Sequence, residues 1–191
     1  MKLFLIRHGQ SVANLHSYYA GQMDMPLTEL GISQAAAIAP LLAPYRFDKV
    51  YSSDLSRAKS TCENALPGVD YETLALLREY DVGRLEGVAL GSVPRIHVAE
   101  PEKRPDYTDY DGENALMVCA RAKQFLEMLE GEPHEYVAAF SHFGFINCLL
   151  RTILGAAYDS KRVFTTNCSV HVVEFDGKQW RILALNYGLE V

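Results

Sequence analysis

Lys2-Leu3-Phe4-Leu5-Ile6, followed directly by Arg7-His8-Gly9-Gln10-Ser11 and then Asn14, is the stretch on which the reading of this chain turns. A short apolar run stopped by a glycine describes a buried strand leaving the core of a sheet. At its mouth stand an arginine, a histidine and a tight turn. Open α/β sheets keep their ligands outside the carboxyl ends of their strands. The stretch therefore sets a potential nucleophile beside a permanent cation that can grip an anion, at the edge where such sheets bind. An Arg-His-Gly triplet alone is weak evidence, and its weight comes from what the rest of the chain places beside it.

Outward from this strand, apolar runs alternate with helical periodicity. After a loop of about 20 residues, Leu30, Ala37, Ile38, Leu41 and Leu42 mark a helical face. Lys49-Val50-Tyr51-Ser52 reads as a second strand, and Leu55, Ala58, Cys62, Ala65 and Leu66 as the helix after it. A third strand is predicted from Tyr71 to Leu76. The cleanest helix carries Ala115, Val118, Cys119, Ala122, Phe125, Leu126 and Leu129, with Asp111 as its N-cap. Glu135 to Phe140 forms a fourth strand, and Phe145, Ile146, Leu149, Leu150, Ile153 and Leu154 another helix. Ser169–Phe175 and Gln179–Leu185 flank Asp176-Gly177, a hairpin signal. This alternation implies an α/β fold: a three-layer α/β/α sandwich whose sheet is mostly parallel, with one antiparallel strand near the C-terminus. A single domain over 1–191 is expected, with a lid-like excursion at about 88–111, where Pro94, Pro101 and Pro105 interrupt any period.

A chain of 191 residues can bury roughly 70% of its unfolded surface, and 49% apolar content suits a globular core. The 24 acidic and 18 basic residues leave a net charge of −6, which disfavours a nucleic-acid partner but permits a locally positive pocket. No apolar run approaches the ~20 residues of a membrane span, and the first residues enter a strand at once, so a cytoplasmic location away from membranes is expected. Cys62, Cys119, Cys148 and Cys168 show neither C-x-x-C spacing nor a histidine at metal distance. They read as buried, reduced thiols, and no metal or cofactor is expected. Monomer and homodimer both stay open.

Four strand ends carry the chemistry. Arg7 and His8 follow the first strand, and Arg57 lies in the first turn of the helix after the second. Glu79 ends the third, and His142 stands at the turn after the fourth. Singly, Arg57 reads as a solvated helix residue, His142 as a packing residue, and Glu79 beside Arg78 as a surface ion pair. In one register along a parallel sheet they converge. Guanidinium forks bind phosphoryl oxygens, and a neutral imidazole can attack phosphorus.

These residues resemble the histidine phosphatase superfamily, the phosphoglycerate mutase-like fold. The resemblance runs through Arg7-His8-Gly9-Gln10-Ser11 with Asn14, and Gly21-Gln22-Met23-Asp24-Met25-Pro26-Leu27-Thr28 with Gly31. It continues through Ser52-Ser53-Asp54-Leu55 to Arg57-Ala58, Glu79 with Glu86-Gly87, Gly112-Glu113, Ser141-His142, and Asn167-Cys168-Ser169. It implies that His8 is the nucleophile, that Arg7, Arg57 and His142 clamp the phosphoryl oxygens, and that Glu79 protonates the leaving group. Gln10, Asn14, Gly21 and Gln22 would add hydrogen bonds to phosphate or substrate. The implied activity is a metal-independent phosphomonoesterase acting on a small phosphorylated metabolite. A cofactor-dependent phosphoglycerate mutase-type transferase and a non-catalytic phospho-ligand module are the alternatives. Leu85, Asn114 and Phe143 depart from the pattern around the pocket, and the 88–111 segment, with Arg95, His97, Lys103, Arg104, Tyr107 and Tyr110, is expected to set substrate choice.

Overall fold

The computed structural model describes residues 1–93, 100–155 and 165–187. In chain order they form β1 (Lys2–Arg7), α1 (Val12–His16), α2 (Glu29–Ala37), α3 (Ala39–Leu42), β2 (Lys49–Ser52), α4 (Ser56–Ala65) and β3 (Glu72–Thr73). There follow α5 (Ala115–Glu130), β4 (Tyr136–Ser141), α6 (Phe143–Leu154), β5 (Val170–Phe175) and β6 (Trp180–Ala184). The strands make one sheet in the order β3-β2-β4-β1-β5-β6. β1, β4, β2 and β3 are mutually parallel, while β5 runs against both of its neighbours.

Because side chains alternate across a strand, β1 feeds two cores at once. Leu3 and Leu5 pack with α5 and α6 residues such as Phe125 and Phe145, while Phe4 and Ile6 pack with Ala35, Ile38 and Cys62 of the opposite layer. The result is the expected sandwich, with β1 and β4 as its central pair. At the C-terminal hairpin, Asp176 Oδ1 accepts from the amides of Lys178 and Gln179, both at 2.9 Å.

Several elements differ from the sequence reading. β3 spans only Glu72–Thr73, and Ala75–Leu77 form a 3-10 turn instead of continuing the strand. Carbonyls that a ladder would need are taken by side chains: Leu77 O by Ser141 Oγ at 2.7 Å and Leu76 O by Arg121 at 2.7 Å. The N-cap of α5 is Asn114, whose side chain accepts from Met117 N, while Asp111 lies three residues earlier in the left-handed region. Glu113 is kept out of the helix by its amide bond to Asp81 O at 2.8 Å. Pro40 cannot donate, so the helix expected through Leu42 breaks into α2 and α3. Cys119 is half-buried, whereas Cys62, Cys148 and Cys168 are buried; all four thiols are free.

The face of α2 is also turned from the expected one, with Gly31, Ala35 and Ile38 inward and Leu30 exposed. The cause is a backbone-to-backbone contact. A Cβ on Gly31 would lie 2.1 Å from Gln10 O, and one on Gly9 would lie 2.4 Å from Gly31 O. Helix α2 thus docks through glycine directly on the turn that carries His8. Among the described residues no helix is long and apolar enough to cross a membrane.

Helix propensity alone would favour Gly31→Ala by about 1 kcal/mol, yet the contact forbids the methyl. We expect Gly31→Ala to lose about 1–3 kcal/mol in chemical denaturation. Gly131→Ala, at the end of α5 where an added Cβ meets nothing within 4 Å, should be neutral.

Candidate active site

β1 and β4 pair in register so that Arg7 lies opposite Ser141, and His8 N donates to Ser141 O at 2.9 Å. The next residue on each strand is a histidine, and the two imidazole centroids are 5.1 Å apart. From the neighbouring β2, α4 delivers Arg57 in its first turn; from the turn after β3 comes Glu79. Convergence at one sheet edge follows from parallel strands whose ends carry these residues.

The two histidines are fixed in opposite tautomers. His8 Nδ1 lies 2.7 Å from Gly9 O. A carbonyl only accepts, so the proton is on Nδ1 and the lone pair is on Nε2. His142 Nδ1 accepts from Arg57 Nε at 3.2 Å, and a guanidinium only donates. The proton of neutral His142 is therefore on Nε2, a buried atom with no hydrogen-bond partner among the described residues. Both imidazoles are held well below the usual histidine range, His8 by burial and then by Arg57 and Arg7, and His142 by burial, Arg57, His8 and Arg7. One ring thus presents a lone pair and the other an N–H donor.

Arg57 is 1% exposed and is held by neutral groups: His142, Gly21 O at 2.8 Å and Met23 O at 3.0 Å. Thr61 Oγ donates to Arg57 O at 2.6 Å and accepts from Gly9 N at 3.0 Å, locking α4 to the His8 turn. Arg7 donates to Thr165 O at 2.7 Å, lies over the Phe143 ring at 5.3 Å, and keeps a buried Nε with no partner among the described residues. Burial lowers the proton affinity of both guanidinium groups, and Glu79 opposes that shift. Glu79 sits at the N-terminus of α6, where Oε2 accepts from Gly144 N at 3.0 Å and Oε1 from Tyr80 N at 2.9 Å. A Cβ on Gly144 would lie 2.2 Å from Glu79 Oε1, so only glycine admits the carboxylate.

A cavity of about 280 Å³ opens over this cluster, with Arg7, His8, Arg57, Glu79, Asn14 and Gly21 in its wall. Gly21 also supplies the carbonyl that orients Arg57. His142, which is fully buried, Gln10 and Gln22 are not in that wall. Gln10 Oε1 accepts from Thr28 Oγ, and its amide donates to Gln34 Oε1, bracing α2 against the turn. Gln22 bridges Glu79 O and Arg78, with its amide on Glu86. Of the 88–111 segment, Leu90, Arg104, Pro105 and Tyr107 line the cavity, whereas Arg95 and His97 lie outside the described residues. Lys103 pairs with Glu100. No three histidine, cysteine or acidic side chains group as for a metal among the described residues.

Arg121 went unnoticed in the sequence. Nη1 binds Leu76 O at 2.7 Å and Arg78 O at 3.1 Å, and Nη2 binds Glu79 O at 3.2 Å. Glu113 pairs with it at 2.8 Å and accepts from Asp81 N at 2.9 Å. Together they clamp the segment that presents Glu79. The available signal was an arginine lodged between Val118 and Ala122 on the apolar stripe of α5.

The sequence profile of the histidine phosphatase superfamily, branch 1, matches residues 3–188. The chain belongs to that superfamily. A probable phosphoglycerate mutase GpmB of Proteus mirabilis is 30% identical over 94% of this chain and 87% of its own length. The fructose-2,6-bisphosphatase TIGAR of Xenopus tropicalis is 37% identical over 66% of this chain and 49% of its own. Among solved structures, the α-ribazole phosphatase of Shigella flexneri superposes with a TM-score of 0.85 at 25% identity, covering 100% of both chains. A mycobacterial glucosyl-3-phosphoglycerate phosphatase in complex with VO3 gives 0.81 at 26% identity, covering 97% of this chain and 98% of its own.

Buried neutral histidines should make the protein acid-labile. His171 in β5 is fully buried, and burial lowers it from 6.5 to about 4. Between those values the unfolded chain binds protons that the native state refuses, so stability is full above pH 6.5 and falls as pH drops towards 4. His171 alone should contribute about 3 kcal/mol to that loss, with His8 and His142 adding in the same direction. Denaturant titrations from pH 8 to 4 read it, and His171→Asn should shrink the slope.

Proposed function

We propose that this protein is a metal-independent phosphomonoesterase that works through a phosphohistidine on His8. The observation that carries the reading is the unprotonated Nε2 of a neutral His8, locked by Gly9 O and flanked by two buried guanidinium groups. Arg7, Arg57 and the Nε2–H of His142 bind the non-bridging oxygens of the phosphoryl group. His8 Nε2 attacks phosphorus as the ester P–O bond breaks. The leaving oxygen keeps the bonding pair and takes a proton from Glu79 in its acid form. As the imidazole gains positive charge, its Nδ1–H bond to Gly9 O strengthens. Water then attacks phosphorus, Glu79 accepts its proton, and the P–N pair returns to His8. Two buried cations stabilise charge on the transferring group in the way metal ions do in other phosphoryl transferases.

A mutase would differ only in the acceptor, returning the phosphoryl group to bound product. The named resemblance to a probable phosphoglycerate mutase supports keeping that reading as the second. Adding 3-phosphoglycerate with a trace of 2,3-bisphosphoglycerate separates the two, since a mutase makes 2-phosphoglycerate far in excess of the bisphosphate supplied, whereas a hydrolase yields free phosphate and no more 2-phosphoglycerate than that trace can give.

Rapid quench with labelled p-nitrophenyl phosphate should trap an acid-labile phosphoenzyme on His8, absent in His8→Ala. Label on a serine instead would overturn the assignment. Glu79→Gln should slow phosphoenzyme formation by roughly 10²–10⁴-fold with alkyl phosphates, whose alkoxides need a proton. The loss should be slight with p-nitrophenyl phosphate, whose leaving group departs without one. Equal losses in that first step would remove Glu79 as the acid.

A further inference from the structure

Beyond the phosphoryl site, the cavity carries positive charge that one phosphoryl group does not use. Its wall holds Arg7, Arg57 and Arg151, together with Arg104, which is already engaged within the protein, and Glu79 is its one carboxylate among the described residues. Arg7 and Arg57 stand at His8. Arg151 is half-buried on α6 and has no ion-pair partner among the described residues.

Helix α6 measures where Arg151 lies. Gly144, whose amide holds Glu79, Cys148 one turn on, and Arg151 nearly two turns on all line the cavity. They follow the helical i, i+4, i+7 spacing of a single face. At 1.5 Å per residue, Arg151 stands about 10 Å along the axis from Gly144. The wall also includes Val82, Leu90 and Tyr107, which are apolar or aromatic.

We infer that the substrate is an elongated phosphomonoester carrying a second anionic group remote from its phosphoryl group, held by Arg151 nearly two helical turns beyond the α6 residue that seats Glu79, with an apolar or aromatic body between. This rests on the phosphatase reading above and goes beyond it. A half-buried cation without a carboxylate partner among the described residues gains from an anion that arrives with the ligand, because the guanidinium fork then forms charge-assisted bonds partly screened from bulk water. Among the described residues the wall offers no second carboxylate for an ammonium group on the substrate.

A matched pair of esters tests it: 3-(4-phosphonooxyphenyl)propanoate and its propanamide. Two methylenes insulate the phenol from the end group, so the leaving groups are alike and only the distant charge differs. The wild-type protein should favour the acid in kcat/KM by about tenfold, the size expected of one charge-assisted bond. Arg151→Gln should bring the acid-to-amide ratio close to one, and Arg151→Lys should restore part of it. Phosphoglycolate and its amide, whose second group lies too near the phosphoryl group, should show no Arg151-dependent preference. Equal rates for the long pair in the wild-type protein, a preference that survives Arg151→Gln, or the same Arg151 dependence in the short pair would each overturn the inference. Failure of every ester, p-nitrophenyl phosphate included, to release phosphate would instead refute the phosphatase reading. In that case calorimetry on the long pair decides the inference by itself: tighter binding of the acid that needs Arg151 upholds it, and equal binding removes it.

Discussion

Everything at this site depends on two buried guanidinium groups that no carboxylate among the described residues bonds directly, with Glu79 the nearby countercharge. Arg57 is fully enclosed and bonded to two carbonyls and an imidazole, and Arg7 to one carbonyl and the face of Phe143. Taking a lone cation out of water costs several kcal/mol even after relaxation. Those neutral partners offset part of that cost, and an arriving phosphoryl group can offset the rest. Burial, and then the same field, keeps His8 and His142 neutral, so His8 Nε2 carries its lone pair without a base to uncover it. An anion-binding pocket and an unprotonated imidazole nitrogen come from one arrangement of charge.

Holding that arrangement still requires the surrounding fold. The glycine-to-glycine contact of α2 with the His8 turn, the Thr61 bridge to α4, and the Arg121–Glu113 clamp on the Glu79 segment each bind a different layer to the sheet edge. Glu113 is also tied to the cavity-lining Tyr107, whose amide donates to the Glu113 carbonyl at 3.0 Å. The Glu79 segment and part of the cavity wall are therefore set by one half-buried ion pair.

What the sequence disclosed follows from which forces are local. The alternation within β1, the Asp-Gly hairpin, and the five polar residues at strand ends are visible because strand periodicity and turn chemistry act over a few residues. The short β3, the Asn114 cap and the rotated face of α2 differ from the local signals because distant groups decide them: Ser141 and Arg121 take carbonyls from the Leu76–Leu77 turn, Asp81 holds Glu113, and Gln10 O excludes a side chain at Gly31. Gln10 and Gln22 lie next to cavity residues in the chain, yet their amides serve as internal braces, a distinction that spacing alone does not carry. Arg121 shows the converse. It looks like an ordinary helix arginine until three carbonyls from another segment are brought to it.

The site turns on where two imidazole protons sit, and histidine ring nitrogens report them directly. Long-range proton–nitrogen NMR correlation on the protein labelled with nitrogen-15, free of ligand, reads the protonation and tautomer of each imidazole as pH is lowered. His8 should be neutral with its proton on Nδ1 and His142 neutral with its proton on Nε2, both persisting well below pH 6.5. An imidazolium at either position at pH 7, or a proton on His8 Nε2, would contradict it.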